Sequence, residues 1–153
     1  MKKYYALCAE YTDRYTNLGG SSIKDLEDLT VVPKSGFGAF CRAFDKEAFD
    51  KLEKALDDAR SKVAADSPER NRIEFVAIGL KFFKLNREFA IKYWNTPAKE
   101  RKKLIPEIDK LVVQWKEIFA KYPFAINIPA IVDNYFYGFF RNCGWKPIHQ
   151  YQK

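Results

Sequence analysis

Few residues in this chain have the types and spacing that catalysis or metal binding requires. The one histidine, His149, lies near the end of the sequence, which disfavours a histidine-based metal site or a Ser-His-Asp arrangement among the helices. Cys8, Cys41 and Cys143 are odd in number and widely spaced, a pattern more typical of buried free thiols than of a disulfide framework or a zinc site. We therefore expect no catalytic residue, no metal site and no cofactor in this chain.

Aromatic side chains give the main signal for binding. The chain holds 13 Phe, 9 Tyr and 3 Trp, and half of residues 134–145 are aromatic. The side chains predicted to form a docking or sugar-facing surface are Tyr135, Tyr137, Phe140, Trp145 and Phe37. Phe40 and Phe44 are expected beside them. Three roles stay open for these rings: a packed subsidiary core, a docking face for another domain, or a ligand site.

The charge pattern gives a weaker signal. A net charge of +7 permits binding to polyanions, but the charges are interspersed along the chain, so nucleic acid is disfavoured as a partner. No segment reaches the roughly 18 apolar residues that a membrane span needs, and the first residues lack the pattern of an export signal. We expect a soluble chain, with the compartment of any parent protein left open.

The first third of the chain predicts two helices separated by a loop. A helix is expected from residue 2 to about 17, because apolar residues recur there at three- and four-residue steps. Residues 19–44, rich in glycine, predict a long irregular loop. Asp45 can cap a second helix, whose apolar stripe contains Ala48, Phe49, Leu52, Ala55, Leu56, Ala59 and Val63.

The stretch DSPERNRIEF, residues 66–75, has the chemistry of a helix start. Pro68 suits the first helical position, and either Asp66 or Ser67 can cap the helix; with Asp66, the carboxylate of Glu69 would complete a capping box. The helix is predicted to run from about 68 to 95. Its apolar residues are too many for one face, so we expect neighbours to cover it on two sides. The strip that remains polar is Glu74, Lys81, Lys84, Glu88 and Lys92.

Shorter helices are predicted after residue 95. Pro106 should separate a short helix at 97–104 from a longer one at about 106–121, because an interior proline removes a backbone hydrogen bond. In KERKK, residues 99–103, Lys102 and Lys103 would then sit in the favourable last turn of the short helix, so the cluster needs no phosphate to explain it. A further short helix is expected within 134–145, where Gly138 would allow another backbone to approach closely.

These elements predict an all-α fold. We expect a single helical domain spanning residues 1–153, in which about four to five helices form an irregular bundle around the long helix at 68–95. The tail at 146–153 is expected to be mobile.

The opening helix, with Tyr4 and Tyr5, and an Asp-x-Pro-x-x-x-Arg-[Val/Ile]-Glu pattern carry a family resemblance. Over roughly residues 2–120, the chain resembles the C-terminal α-helical region of large bacterial glycoside-hydrolase-like proteins of an uncharacterised family. The residues that form the pattern are Asp66, Pro68, Arg72, Ile73 and Glu74. The resemblance implies a non-catalytic module that follows a catalytic barrel in a secreted or periplasmic protein. The catalytic residues would lie in that barrel, so none is assigned to this chain, which would be a separated domain or a fragment.

The sequence leaves two main functional hypotheses. The first is an accessory module that packs its aromatic surface against a catalytic domain, with a glycan as a further partner. The second is a free-standing helical interaction protein or a basic nucleic-acid-binding protein. An autonomous enzyme has the least support.

Overall fold

In the computed structural model, residues 1–17, 36–123, 125, 127 and 137–145 are described. Within these ranges all regular secondary structure is helical, which confirms the all-α fold. The elements are α1 (Lys2–Asn17), α2 (Gly36–Ala43), α3 (Lys46–Arg60), α4 (Pro68–Asn95), a 3-10 helix (Ala98–Leu104), α5 (Ile105–Phe119) and α6 (Tyr137–Asn142). Residues 146–153, predicted as a mobile tail, lie outside the described ranges.

The chain divides into two compact units that share α4. The first unit is Met1–Lys84 and the second is Leu85–Lys153. The predicted length of α4 is confirmed, since this helix runs from Pro68 to Asn95. Each unit therefore takes part of one helix that is apolar on more than one side.

In the first unit, α1 packs against both α2 and α3. The predicted stripe of α3 is confirmed, since six of its seven members are buried and Val63 packs against them. Asp45 caps α3, because its Oδ1 accepts a hydrogen bond from the backbone N–H of Ala48 at 2.8 Å. The buried core residues are Tyr4, Tyr11, Ala48, Phe49, Leu52, Ala55, Leu56, Ala59, Ile73 and Leu80.

The prediction of an irregular loop at 19–44 is wrong for residues 36–43, which form α2. Glycines lower the local helix propensity of this stretch, but packing of its aromatic rings overrides that preference. Phe40 and Phe44 stack with ring centroids 4.6 Å apart, and Phe44 lies 5.6 Å from the ring of Tyr11. The rings of Phe40 and Phe44 thus pack within the first unit. Residues 18–35 lie outside the described ranges.

The start of α4 shows which of the two predicted caps is used. The backbone N–H of Arg70 donates to the hydroxyl of Ser67 at 3.1 Å, so Ser67 is the N-cap and Pro68 takes the first helical position. With this cap the third helical residue is Arg70 instead of Glu69. The capping box that Asp66 would have made with Glu69 is therefore not formed.

Glu74 joins α4 to the end of α3. Its two carboxylate oxygens accept hydrogen bonds from Arg60 at 3.0 and 3.2 Å, and Arg70 donates a third at 2.8 Å. Farther along α4, Lys84 donates to both oxygens of Glu53 on α3. Part of the polar strip predicted for α4 thus forms ion pairs with the neighbouring helix.

In the second unit, the break at Pro106 is confirmed, although the segment before it is a 3-10 helix and α5 follows it directly. Pro106 sits in the first turn of α5, where its missing N–H leaves no hydrogen bond unmade. The predicted buried side of α5 is also confirmed, and it contains Ile108, Leu111, Val112, Trp115, Ile118 and Phe119. Tyr122, predicted with them, is half-buried beyond the end of the helix.

The contact between Glu74 and the two arginines predicts a pH-dependent stability. Hydrogen bonding to Arg60 holds the pKa of Glu74 below its ordinary value. A carboxylate with a lowered folded-state pKa stabilises the fold above its unfolded pKa of about 4.3 and loses that effect as the pH falls through the folded pKa. We expect Glu74→Gln to lower the free energy of unfolding at pH 7 by about 1 kcal/mol, with the gap to wild type narrowing on acidification.

Urea unfolding at a series of pH values measures this gap. Glu69→Gln is the matched control, because its exposed carboxylate makes only a 3.6 Å ion pair with Arg72. A gap for Glu74→Gln that stays constant as the pH falls would contradict the assignment.

Candidate interaction surfaces

Two of the five side chains predicted to form an aromatic surface are described by the structure, and both are buried. Phe140 is 1% exposed and Trp145 is 9% exposed, so both rings lie in the core of the second unit and not on its surface. Tyr135 lies outside the described residues. Tyr137 and Phe37 fall within α6 and α2, but their side chains lie outside what the structure describes.

Phe140 is the centre of an aromatic cluster in the second unit. Its ring centroid lies 5.7 Å from Phe89 of α4, 6.1 Å from Trp115 of α5 and 5.0 Å from Trp145. The indole Nε1–H of Trp145 donates to Oδ1 of Asp109 at 2.8 Å, which satisfies its polar group. Replacing Trp145 by alanine would therefore disturb the core. A loss of ligand binding in that variant could come from the disturbed fold and would not identify Trp145 as a binding residue.

Gly144 holds Trp145 in this position. Its φ of 77° is the left-handed conformation that favours glycine. The N–H of Gly144 bonds to the carbonyl of Arg141 at 2.8 Å and that of Trp145 to the carbonyl of Phe140 at 3.0 Å, which together form a Schellman motif. In the sequence, a glycine just beyond an apolar helix is the feature that indicates such a motif.

Gly138 does not have the role that the sequence predicted for it. A Cβ atom added at Gly138 would meet no atom of a described residue within 4 Å, so no described backbone makes the close approach that the sequence predicted. The residue is exposed, because the packed side of α6 is formed by Phe139 and Phe140.

One side of α4 in the first unit carries half-exposed apolar residues that the sequence did not single out, and one of them, Phe83, also lies 5.5 Å from the Phe40 ring of α2. Phe75 is 49% exposed and Phe83 is 48% exposed, although the core residues Ile73 and Leu80 of the same helix are buried. At 100° per residue, the two phenylalanines lie roughly 60° to 160° around the helix from those core residues. Gly79 lies midway between the phenylalanines, and a Cβ added there would meet nothing within 4 Å. We call Phe75, Gly79 and Phe83 the docking face.

The second unit carries most of the net charge. Residues 85–153 contain 12 Lys and Arg against 6 Asp and Glu, whereas residues 1–84 contain 15 against 14. Counting charge by halves would have found this difference in the sequence. The basic residues of the 3-10 helix and α6 are Lys99, Arg101, Lys102, Lys103 and Arg141. We call these five residues the basic surface.

Two members of the basic surface are held in place by neighbouring groups. The guanidinium of Arg101 lies 4.1 Å from the centroid of the Tyr93 ring, and its Nε donates to the carbonyl of Thr96 at 3.3 Å. Lys103 pairs with Glu100 at 2.9 Å. Lys99 and Lys102 are exposed and make no ion pair with any described residue.

The cysteines are placed as expected for unreactive thiols. Cys41 and Cys143 are buried, Cys8 is half-buried, and none of the three forms a disulfide. Burial raises the pKa of the Cys8 and Cys143 thiols, which favours their neutral form. Among the described residues there is no cluster of His, Cys, Asp and Glu suited to a metal ion, and no helix is long and apolar enough to cross a membrane.

The Schellman motif predicts a specific sensitivity at Gly144. Gly144→Ala should lower the free energy of unfolding by about 1–2 kcal/mol, because alanine is strained at a positive φ. Gly138→Ala, in open space on the same helix, should cause no loss. Urea unfolding of both variants tests the assignment, and equal losses at the two positions would contradict it.

Comparisons with protein-family models, with characterised proteins and with solved structures find no match to this chain. Its function is therefore inferred from the two surfaces and from the sequence resemblance.

Proposed function

We propose that this chain is a non-catalytic helical docking module that binds another protein domain through the docking face of α4. The observation that carries the proposal is the half-exposure of Phe75 and Phe83, because the outer side of a surface helix normally bears charged residues. Isolated exposed apolar residues are ordinary, but these two lie on one helix eight residues apart, or about 12 Å along its axis.

The shape of the docking face indicates what kind of group it receives. Gly79 lies between the two phenylalanines along α4, and a Cβ added there would meet no atom of a described residue within 4 Å, so this position leaves a notch in the helix surface. An apolar side chain of a partner protein can enter this notch and remove both rings from water, which contributes about 25 cal/mol for each Å² of apolar surface buried. Asn71 and Arg72 are exposed at the N-terminal end of the face, so a polar rim adjoins the apolar centre as in protein interfaces.

The sequence resemblance supports a glycoside-hydrolase-like parent protein as the source of the partner domain. The fold already explains two residues of the family pattern, since Pro68 starts α4 and Glu74 joins it to α3. Arg72 is different, because among the described residues its one ion pair is with Glu69 at 3.6 Å, and its side chain is 75% exposed. Its place one turn before Phe75 favours a role in contact with a partner.

Site-specific cross-linking in cells of the source organism tests the proposal. A photoreactive benzoylphenylalanine at position 75 or 83 should form an adduct with one defined protein. The same residue at position 113 should not, since Val113 is equally exposed, at 48%, but lies on α5 in the second unit. Comparable adducts from position 113 would contradict a specific docking face.

A second variant separates docking from folding. Gly79→Leu should fill the notch and reduce the adduct yield at least about fivefold, while the free energy of unfolding stays the same or rises because leucine is a better helix former by roughly 0.8 kcal/mol. Gly138→Leu is the matched control, with the same change in open space on α6. An adduct yield that Gly79→Leu leaves unchanged would overturn the proposal.

The identity of the cross-linked protein distinguishes an accessory module of a glycoside-hydrolase-like protein from a free-standing interaction protein. An adduct to a protein or domain with a glycoside-hydrolase-like barrel supports the accessory role. An adduct to a protein of another class overturns that part and favours a free-standing interaction protein.

A further inference from the structure

We propose that the basic surface of the second unit binds the phosphate backbone of a single-stranded nucleic acid. This inference goes beyond the docking role, because it concerns a different surface and a different class of partner. It rests on the separation of charge between the units, on the position of the lysines relative to α5 and on the aromatic residues beside them.

The separation of charge makes the second unit the cationic part of the chain. Its 12 basic residues outnumber its 6 acidic ones by two to one, whereas the two kinds are nearly balanced in the first unit. The basic surface itself contains one carboxylate close enough for an ion pair among the described residues, that of Glu100, which pairs with Lys103. A surface with this excess of cations attracts phosphate groups.

The dipole of the following helix does not favour the position of Lys102 and Lys103. The sequence predicted that Lys102 and Lys103 would stabilise the end of a short helix, but α5 begins at Ile105 immediately after them. They therefore precede the N-terminus of a 15-residue helix, whose dipole favours anions and disfavours cations. The dipole of α5 favours the carboxylate of Glu107, which lies in the first turn of the helix. This carboxylate forms an ion pair with Lys92 at 2.8 Å.

Packing places Arg101 and Lys102 of the basic surface beside α6. The 3-10 helix contacts α6, and the aliphatic part of Lys102 lies 4.0 Å from the position of a Cβ at Gly144. The Tyr93 ring, over which Arg101 lies, also accepts a hydrogen bond at its hydroxyl from Asn142 at 3.0 Å. Lys102 and Arg101 are thus held against the end of α6 that carries Arg141.

Neighbouring aromatic residues favour a nucleic acid over an acidic protein. Phe139 lies 4.7 Å from the Tyr93 ring and 5.8 Å from the Trp94 ring, measured between centroids, and both Phe139 and Trp94 are only half-buried. Single-strand binding proteins combine lysines that contact phosphates with aromatic rings on which bases stack. Half-exposed rings beside cations match a single strand, whose bases stack on rings while its phosphates contact the cations.

Fluorescence anisotropy with labelled single-stranded DNA and RNA tests the inference, using strands longer than the roughly 16 nucleotides of one binding site. The full chain should bind with an affinity that falls steeply between about 50 and 200 mM salt. Lys99→Ala with Lys102→Ala should weaken binding about tenfold and reduce the salt slope by about 1–2, because each lost phosphate contact removes nearly one released counterion.

The matched control is Lys54→Ala with Lys81→Ala. It removes two exposed lysines of the first unit that make no ion pair with a described residue, so the net charge changes equally. It should leave binding unchanged, and an equal loss in the control would show that only net charge matters and overturn the site.

Three further results would also overturn the inference. They are the absence of binding to either strand at low salt, tighter binding to a duplex of equal length than to the single strand, and displacement by poly-glutamate as effective as displacement by unlabelled strand. The last result would assign the surface to an acidic protein.

Discussion

The structure depends on a 28-residue helix, α4, whose apolar residues cannot all face one neighbour. Hydrophobic burial is roughly proportional to area, so a helix of this kind gains most when other elements cover it on more than one side. Its first part buries Ile73 and Leu80 in the first unit, and its last part buries Phe89, Ala90 and Tyr93 in the second. The phenylalanines of the docking face stay half-exposed, although Phe83 also lies 5.5 Å from the Phe40 ring, and for this reason we assign that side of the helix to a partner.

The sequence predicts the parts of the fold that local chemistry determines. Apolar residues at three- and four-residue steps identified α3 and α5 with their buried sides, and Pro68 located the start of α4. The sequence could not decide between Asp66 and Ser67 as the cap, because the two residues are adjacent and both side chains can accept the hydrogen bond of a cap. It missed α2, because contacts of Phe40 and Phe44 with residues distant in sequence override the glycines.

The candidate sites were harder to predict, because exposure is a property of the whole fold. An aromatic residue has the same sequence signal in a core as on a surface, so Phe140 and Trp145 could not be separated from surface rings before their neighbours were known. The same limit applies to charge. The lysines of the 3-10 helix are favoured by a helix dipole if a helix ends at them and disfavoured if a new helix starts directly after them. The sequence did not show that α5 starts directly after them.

The central claim is that one side of α4 is exposed in the isolated chain and covered by a partner in the cell. Maleimide labelling of Phe75→Cys and Phe83→Cys measures this directly, with the buried thiols of Cys41 and Cys143 as an internal reference for slow reaction. The account predicts fast labelling in the purified protein, as fast as Val113→Cys on α5, and slower labelling at 75 and 83 but not at 113 in an extract of the source cells. Slow labelling at 75 and 83 in the purified protein, or rates that the extract leaves unchanged, would contradict it.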